Sequence, residues 1–212
     1  MGTIHLVRHG QASWGAADYD ELSALGRDQS DALGTSWEAS GWAPTDAVAG
    51  GMKRHAQTAI SVIDACGGDG YDVDGGWDEY DHLALVRDRE PTAPGGDAKA
   101  FQAALNRAIA DWMGGAEGAG ESFETFRGRV LGAFEAVVGQ ATTGRSVAVF
   151  TSGGPIALVV SHLLSGDDSL FPRLNDVVVN ASVTTVISGG SGPRLLAFNE
   201  HAHLPKDMVS YR

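Results

Sequence analysis

The sequence contains a single cysteine and no long uninterrupted apolar run. Cys66 is the only cysteine among 212 residues, which excludes an intramolecular disulfide. The longest apolar stretch, residues 146–164, is interrupted by a Ser-Gly-Gly-Pro turn at 152–155. This pattern predicts a strand, a turn and a helix rather than a membrane span. Without disulfides or an apolar leader before the first strand, we expect a cytoplasmic protein.

Positive charge is also scarce. Lys and Arg number 15 against 27 Asp and Glu, giving a net charge of −12 at pH 7. So acidic a surface repels nucleic acid and anionic membranes, and we expect neither as a partner. Nucleotide-binding fingerprints are missing too, because no G-x-x-x-x-G-K-S/T segment and no helix-opening G-x-G-x-x-G follows a predicted strand. Any phosphorylated ligand would need a local concentration of Arg and backbone N–H groups.

The rest of the composition is that of a globular chain, with 43% hydrophobic and 20% charged residues. We predict one domain, residues 1–212, because no linker separates balanced halves. Strands are predicted at residues 4–7, 47–50, 71–73, 147–150, 183–187 and 195–198, and helices at 25–40, 54–65, 98–113, 122–140 and 155–164. This alternation predicts an α/β fold with a mostly parallel sheet. The stretch from about 75 to 141 has no clear strand and predicts a helical excursion over the edge of the sheet.

The first predicted strand ends in Arg8-His9-Gly10. In open α/β sheets, ligands bind at the carboxyl edge, where this triplet would lie. A guanidinium beside an imidazole suits a phosphate, since Arg binds two phosphoryl oxygens while His attacks phosphorus. Taken alone, the triplet also fits a strand end with a solvated arginine and an unrelated histidine.

Three further segments that follow predicted strands carry groups suited to phosphate chemistry. Arg54 would lie at a helix N-terminus, where free N–H groups and the helix dipole favour anions. Glu79 and His82 lie with two aspartates in a glycine-flanked loop. The turn at 152–155 could bind a phosphoryl oxygen through its N–H groups. Each segment has an ordinary structural explanation, but their joint occurrence at successive strand ends favours a phosphate site.

Six segments also follow one another in an order typical of one family. They are LVRHGQ at 6–11, LSALGRDQ at 22–29, RHAQTA at 54–59, the acid Glu79, GES at 120–122 followed by Arg127, and FNEHAHL at 198–204. Together they resemble the histidine phosphatase superfamily, and the resemblance covers nearly the whole chain. It implies a phosphoglycerate mutase-like fold, a three-layer α/β/α sandwich with a mostly parallel central sheet.

The resemblance also implies roles for individual residues in a phosphoryl transfer through a phosphohistidine. His9 would be the nucleophile, and Glu79 would protonate the leaving oxygen and then deprotonate water. Arg8 and Arg54 would neutralise the phosphoryl charge, so that no metal and no cofactor are expected. The predicted catalytic residues are His9, Glu79, Arg8, Arg54 and Ser152, and the predicted phosphate-binding residues are Arg8, Gly10, Gln11, Arg54, Ser152 and Gly153.

Two departures from the family pattern leave alternatives open. The family usually has a second catalytic histidine at the position of Ser152, whose hydroxyl can donate a hydrogen bond but carries no charge. The difference of about 1–2 kcal/mol corresponds to roughly a 5- to 30-fold slower reaction. Gly15 stands where the mutases have an asparagine, which argues against a glycolytic mutase.

The expected activity is therefore hydrolysis of a phosphomonoester on a small metabolite or a phosphopeptide. A cofactor-dependent phosphoglycerate mutase-type phosphotransferase is one alternative. A non-catalytic phosphate-ligand-binding or regulatory protein is another, because of Ser152. His82 would compensate for Ser152 if its imidazolium reached the phosphoryl group on His9. A homodimer is compatible with the sequence, which does not specify the oligomeric state.

Overall fold

A computed structural model describes residues 1–13, 18–89, 98–116 and 120–211; Gly15 lies outside them. Within these ranges there are seven α-helices and six strands. The helices are α1 (Ala24–Ala39), α2 (Lys53–Cys66), α3 (His82–Arg89), α4 (Ala98–Met113), α5 (Phe123–Gln140), α6 (Gly153–Ser165) and α7 (Phe171–Asn175). The strands are β1 (Gly2–Arg8), β2 (Asp46–Ala49), β3 (Asp72–Val73), β4 (Ser146–Thr151), β5 (Val183–Ser188) and β6 (Arg194–Glu200). None of the helices in these ranges is both long and apolar enough to cross a bilayer.

The strands form one mixed sheet in the order β3-β2-β4-β1-β5-β6. The first four strands in this order run parallel to one another. Strand β5 is antiparallel to both of its neighbours, β1 and β6. The predicted α/β fold with a mostly parallel sheet is thereby confirmed, and the carboxyl ends of four parallel strands lie along one edge.

Helices cover both faces of this sheet because successive strand residues point to opposite sides. Leu6 of β1 packs with Ile156 of α6 in one buried cluster. Its neighbour Val7 packs in a second cluster with Leu33 of α1 and Val62 of α2. Burying an apolar side chain of this size stabilises the fold by about 1.5–3 kcal/mol. The three-layer arrangement therefore anchors β1 from both sides immediately before Arg8.

The described residues between 75 and 141 contain three α-helices, α3, α4 and α5, after a short 3-10 helix at Gly75–Trp77. The sequence predicted a loop through His82, whereas α3 begins at that residue. The physical reason is a cap, because Asp81 Oδ1 accepts a hydrogen bond from Ala84 N at 2.8 Å. Just before this cap, the Tyr80 ring lies 5.1 Å from Trp112 and 5.5 Å from Phe126, between ring centroids. These aromatic contacts fix the segment that carries Glu79.

Candidate active site

A cavity of about 480 Å³ opens at the carboxyl edge of the parallel strands. Five of the residues predicted from the sequence line it, namely Arg8, His9, Arg54, Glu79 and Gly153. Arg8 ends β1 and His9 follows it, while Glu79 lies in the segment after β3. Arg54 and Gly153 lie in the first turns of α2 and α6, the helices that follow β2 and β4. The fold thus brings together side chains that are far apart in the sequence.

His9 follows β1 and is only 5% exposed. Its backbone N donates to Thr151 O at 2.8 Å, and Ala181 N donates to its carbonyl at 3.2 Å. The ring Nδ1 lies 2.6 Å from Gly10 O. Because a carbonyl only accepts, Nδ1 carries the proton and Nε2 carries the free lone pair. Burial, with Arg54 and Arg8 nearby, lowers the pKa of His9 well below 6.5, so the ring is a neutral nucleophile at neutral pH.

Arg54 is the second residue of α2 and lies against this lone pair. Its Nε donates to His9 Nε2 at 3.1 Å, and its Nη1 donates to Asp20 Oδ1 at 2.8 Å. Asp20 also accepts from Lys53 N at 2.9 Å, so it fixes both the guanidinium and the start of the helix. This role of Asp20 was not predicted, because Asp20 lies in a turn remote from Arg54 along the chain.

Arg8 supplies a second guanidinium from the end of β1. Its Nη1 donates to the carbonyls of Val178 and Tyr211. Its Nε is buried and has no hydrogen-bond partner among the described residues. A Cβ built on Gly153 would lie 3.7 Å from this nitrogen. Burial lowers the pKa of Arg8 to about 10, so it stays cationic at neutral pH. An unpaired buried donor beside a helix N-terminus suits an anionic ligand.

The carboxyl group of Glu79 lies against the first turn of α6. Oε2 accepts from Gly154 N at 3.0 Å, and Oε1 accepts from Tyr80 N at 3.2 Å. A Cβ on Gly154 would lie 2.1 Å from Oε1, so only glycine admits this approach. Burial raises the pKa of Glu79, against the opposing effects of the Gly154 hydrogen bond and the two arginines. A carboxyl group with a raised pKa is suited to donate and accept a proton.

Ser152 occupies the N-cap position of α6 without a side-chain capping hydrogen bond, and it does not line the cavity. It is fully buried, and its Oγ lies 2.7 Å from His55 Nε2. His55 was not predicted as a site residue; its only signal in the sequence is its place beside Arg54 in the segment at 54–59.

Gly10 and Gln11 also lie off the cavity. The N–H of Gly10 donates to Thr58 Oγ1 at 3.1 Å, and that of Gln11 donates to Gln29 Oε1 at 2.8 Å. Both backbone donors therefore have protein partners, and a phosphate contact at these residues stays a prediction.

His82 lines the cavity, with Nε2 3.5 Å from Tyr19 Oη. Burial, followed by the charge of Arg54, lowers its pKa to about 4. The ring is neutral at physiological pH, so the structure does not support an imidazolium there that replaces the charge missing at Ser152.

Arg129, a residue that the sequence analysis did not single out, holds the loop before Glu79. It donates to Asp78 O at 2.6 Å and to Gly76 O at 3.2 Å, and it pairs with Glu121 at 2.6 Å. Arg127, the arginine quoted in the family resemblance, instead pairs with Asp168 at 2.8 Å.

No group of His, Cys, Asp or Glu within the described ranges is arranged to hold a metal ion. Positive charge at the cavity comes from Arg8 and Arg54 instead.

The sequence profile of the histidine phosphatase superfamily (branch 1) matches residues 4–201. The chain belongs to this superfamily. The match covers the first five of the six segments in full and ends at His201, within the sixth. Among proteins with curated descriptions, none matches the sequence significantly.

Solved structures share the fold of this histidine phosphatase superfamily member. A phosphoglycerate mutase from Bacillus anthracis has a TM-score of 0.67 and 17% identity, over 95% of this chain and 94% of the other. A phosphoserine phosphatase variant from Entamoeba histolytica, in complex with phosphoserine, has a TM-score of 0.68 and 18% identity, over 97% and 100%. A mycobacterial glucosyl-3-phosphoglycerate phosphatase with inorganic phosphate has a TM-score of 0.66 and 23% identity, over 97% and 100%. At these identities the similarity establishes the fold and does not choose between mutase and phosphatase.

Proposed function

We propose that this protein hydrolyses phosphomonoesters through a phosphohistidine on His9. The observation that carries the proposal is the contact between His9 Nδ1 and the Gly10 carbonyl, 2.6 Å apart. Because the carbonyl can only accept, the contact assigns the proton to Nδ1 and leaves Nε2 unprotonated. Arg54 donates to Nε2 in a cavity that Arg8 also lines. A neutral imidazole in a cavity with two guanidiniums is suited to attack a bound phosphate.

The reaction has two steps in this geometry. In the first, His9 Nε2 forms a bond to phosphorus, the bond to the ester oxygen breaks, and the Glu79 proton goes to that oxygen. In the second, the Glu79 carboxylate takes a proton from water as the water oxygen attacks phosphorus. The P–N bond then breaks, and its electron pair returns to Nε2. Arg54 leaves the lone pair for a phosphoryl oxygen, and Arg8 Nε supplies a second donor.

The cavity favours a small substrate with an uncharged or cationic leaving group. Its volume of about 480 Å³ falls in the range of small-molecule sites. Beyond the arginines, the described wall contains Phe101, Leu105 and the carboxylate of Asp176. Among the described side chains that line the cavity, Arg8 and Arg54 are the only guanidinium or ammonium groups. A second anionic group, such as the carboxylate of a phosphoglycerate, would therefore meet Asp176 without a compensating cation there.

The test is release of inorganic phosphate from p-nitrophenyl phosphate by the wild type and by His9→Ala. We expect turnover by the wild type and background rates for the variant. Interconversion of 2- and 3-phosphoglycerate in the presence of 2,3-bisphosphoglycerate is the matched mutase assay, and we expect none. If the wild type and His9→Ala both released phosphate only at the background rate, the protein would be a phosphate-binding protein without phosphatase activity. Efficient interconversion would instead establish a mutase.

A further inference from the structure

Two fully buried polar side chains, His55 and Ser152, contact each other beside His9, and neither takes part in the two proposed reaction steps. His55 Nε2 lies 2.7 Å from Ser152 Oγ, and both residues are 0% exposed. His55 follows Arg54 in the first turn of α2, and Ser152 directly precedes α6. The pair therefore joins the helix starts that carry Arg54 and Gly153 to the cavity.

Ser152 is also the lateral neighbour of His9. Strands β1 and β4 pair Arg8 with Thr151, and His9 N donates to Thr151 O at 2.8 Å. Adjacent strands lie about 4.8 Å apart, so the residues that follow each strand begin side by side. The ring centroids of His9 and His55 are 5.6 Å apart. The Ser152 backbone thus lies beside that of His9, and the His55 ring that contacts Ser152 lies beside the His9 ring, although Ser152 itself does not line the cavity.

A glycine makes room for the His55 ring. A Cβ on Gly50 would lie 2.3 Å from His55 Nδ1 and 2.8 Å from Asp78 Oδ1. The ring Nδ1 is buried with no hydrogen-bond partner among the described residues. The nearest carboxylate oxygen, Asp78 Oδ1, is 3.8 Å away, beyond hydrogen-bonding distance. Within the described part of the chain, Nε2 is therefore the one ring nitrogen of His55 with a hydrogen-bond partner, and that partner is Ser152.

We propose that His55 is a positioning residue that holds the Ser152 hydroxyl as a hydrogen-bond donor to the phosphoryl group on His9. This inference rests on the proposed function for the identity of that group. A hydroxyl has a single proton. If His55 accepted that proton, Ser152 would present only lone pairs to an anion. If His55 Nε2 carries its own proton and donates it to Oγ, the hydroxyl proton is available to a phosphoryl oxygen.

The surroundings of His55 favour a neutral ring, which carries its one proton on either Nδ1 or Nε2. Burial, and then Arg54 on the same helix, lower the pKa of His55 well below 6.5. The groups that face it from other elements are His9, Ser152 and the carboxylate of Asp78. The Asp78 carboxylate lies on the Nδ1 side and favours a proton there, so the proposal requires a bound phosphoryl group, by accepting the Ser152 proton, to select the tautomer with the proton on Nε2.

The kinetic test compares single and double variants with p-nitrophenyl phosphate as substrate. We expect Ser152→Ala and His55→Ala each to lower kcat about 10- to 100-fold, the loss of one hydrogen bond to a charged group. The double variant should be no slower than the slower single variant, because both changes remove the same donor. His55→Gln should retain most of the rate, since its amide N–H can donate to Oγ. Additive losses, or a His55→Gln rate equal to that of His55→Ala, would overturn the proposal.

Two further variants separate positioning from stability. Val62→Ala opens a cavity in the same helix without touching Ser152 and should lower the thermal midpoint while kcat stays unchanged. His55→Ala combined with Ser152→His moves the imidazole into the space that the first change vacates. We expect kcat of this double variant to be at least about 5-fold higher than kcat of His55→Ala. No recovery in a folded double variant would contradict the proposed contact.

A measurement without turnover distinguishes this inference from the proposed function. In wild-type protein labelled with ¹⁵N-histidine and saturated with inorganic phosphate, NMR should place the His55 proton on Nε2. Calorimetry should show phosphate binding weakened by similar factors in Ser152→Ala and His55→Ala. If both results hold but the wild type hydrolyses no ester, the proposed activity fails and the positioning role of His55 stands. A His55 proton on Nδ1, or no phosphate binding by the wild type, overturns that role.

Discussion

Replacing Gly154 by alanine tests the role of Glu79 through geometry alone. The new Cβ would lie 2.1 Å from Glu79 Oε1, whereas ordinary contact begins at 3.4 Å. The carboxyl group must therefore retreat by about 1.3 Å, the difference of the two distances, unless α6 shifts. Tyr80 Cε1, at 2.9 Å from the new atom, restricts that retreat. A misplacement of about 1 Å can cost on the order of 100-fold in rate.

The expected loss depends on the leaving group, because Glu79 is proposed to protonate it. For an alkyl phosphate, which needs a proton on the departing oxygen, we expect kcat to fall about 100-fold. For p-nitrophenyl phosphate, whose phenolate leaves readily, the loss should be several-fold smaller. Kinetics with both esters, supported by a thermal melt to confirm folding, make the comparison.

A matched control is Gly132→Ala in the middle of α5. A Cβ there meets nothing within 4 Å, so the change should raise helix stability by up to about 1 kcal/mol and leave kcat unchanged. If Gly154→Ala lost the same factor in kcat on both esters, or kept an alkyl phosphatase rate within twofold of the wild type, Glu79 would not be the group that protonates the leaving oxygen.

Two further predictions concern protonation and the loop before Glu79. Because the protonated acid donates, kcat for an alkyl phosphate should fall as pH rises through the raised pKa of Glu79, and this alkaline limb should vanish from the pH profile of Glu79→Gln. Arg129→Met removes the hydrogen bonds to the carbonyls of Gly76 and Asp78 and should lower the free energy of unfolding in urea by about 2–3 kcal/mol. The control Arg127→Met breaks an ion pair that is 39% exposed on the arginine side and should cost less than about 1 kcal/mol; a larger loss for Arg127→Met than for Arg129→Met would contradict this assignment.

The sequence was most informative where a short apolar run meets a polar residue. Arg8 and His9 were predicted as site residues because β1 is a buried run with an abrupt polar end, and the fold places both on the cavity. Arg54 was predicted from its place at a helix start after the next strand, and Glu79 was distinguished from the neighbouring acids by the family resemblance; both line the same cavity. Local patterns suffice for Arg8, His9 and Arg54 because strand ends converge on one edge of any parallel sheet.

The missed contacts are those that depend on long-range packing. His55 and Ser152 are 97 residues apart along the chain, and no local pattern indicates that they meet. The choice of Arg129 over Arg127 as partner of Glu121 depends on which face α5 turns toward the loop at 76–78. The start of helix α3 was placed in a loop because its cap, Asp81, also fits an acidic turn.

The proposed mechanism requires that His9 carry the phosphoryl group during turnover. Rapid acid-free quenching of the wild type with a ³²P-labelled phosphomonoester should trap a label that survives alkali and is lost in acid, as expected for a phosphoramidate. Peptide mapping should locate it on His9, and His9→Ala should acquire none. Turnover without a label on His9, or the same label in His9→Ala, would contradict the account.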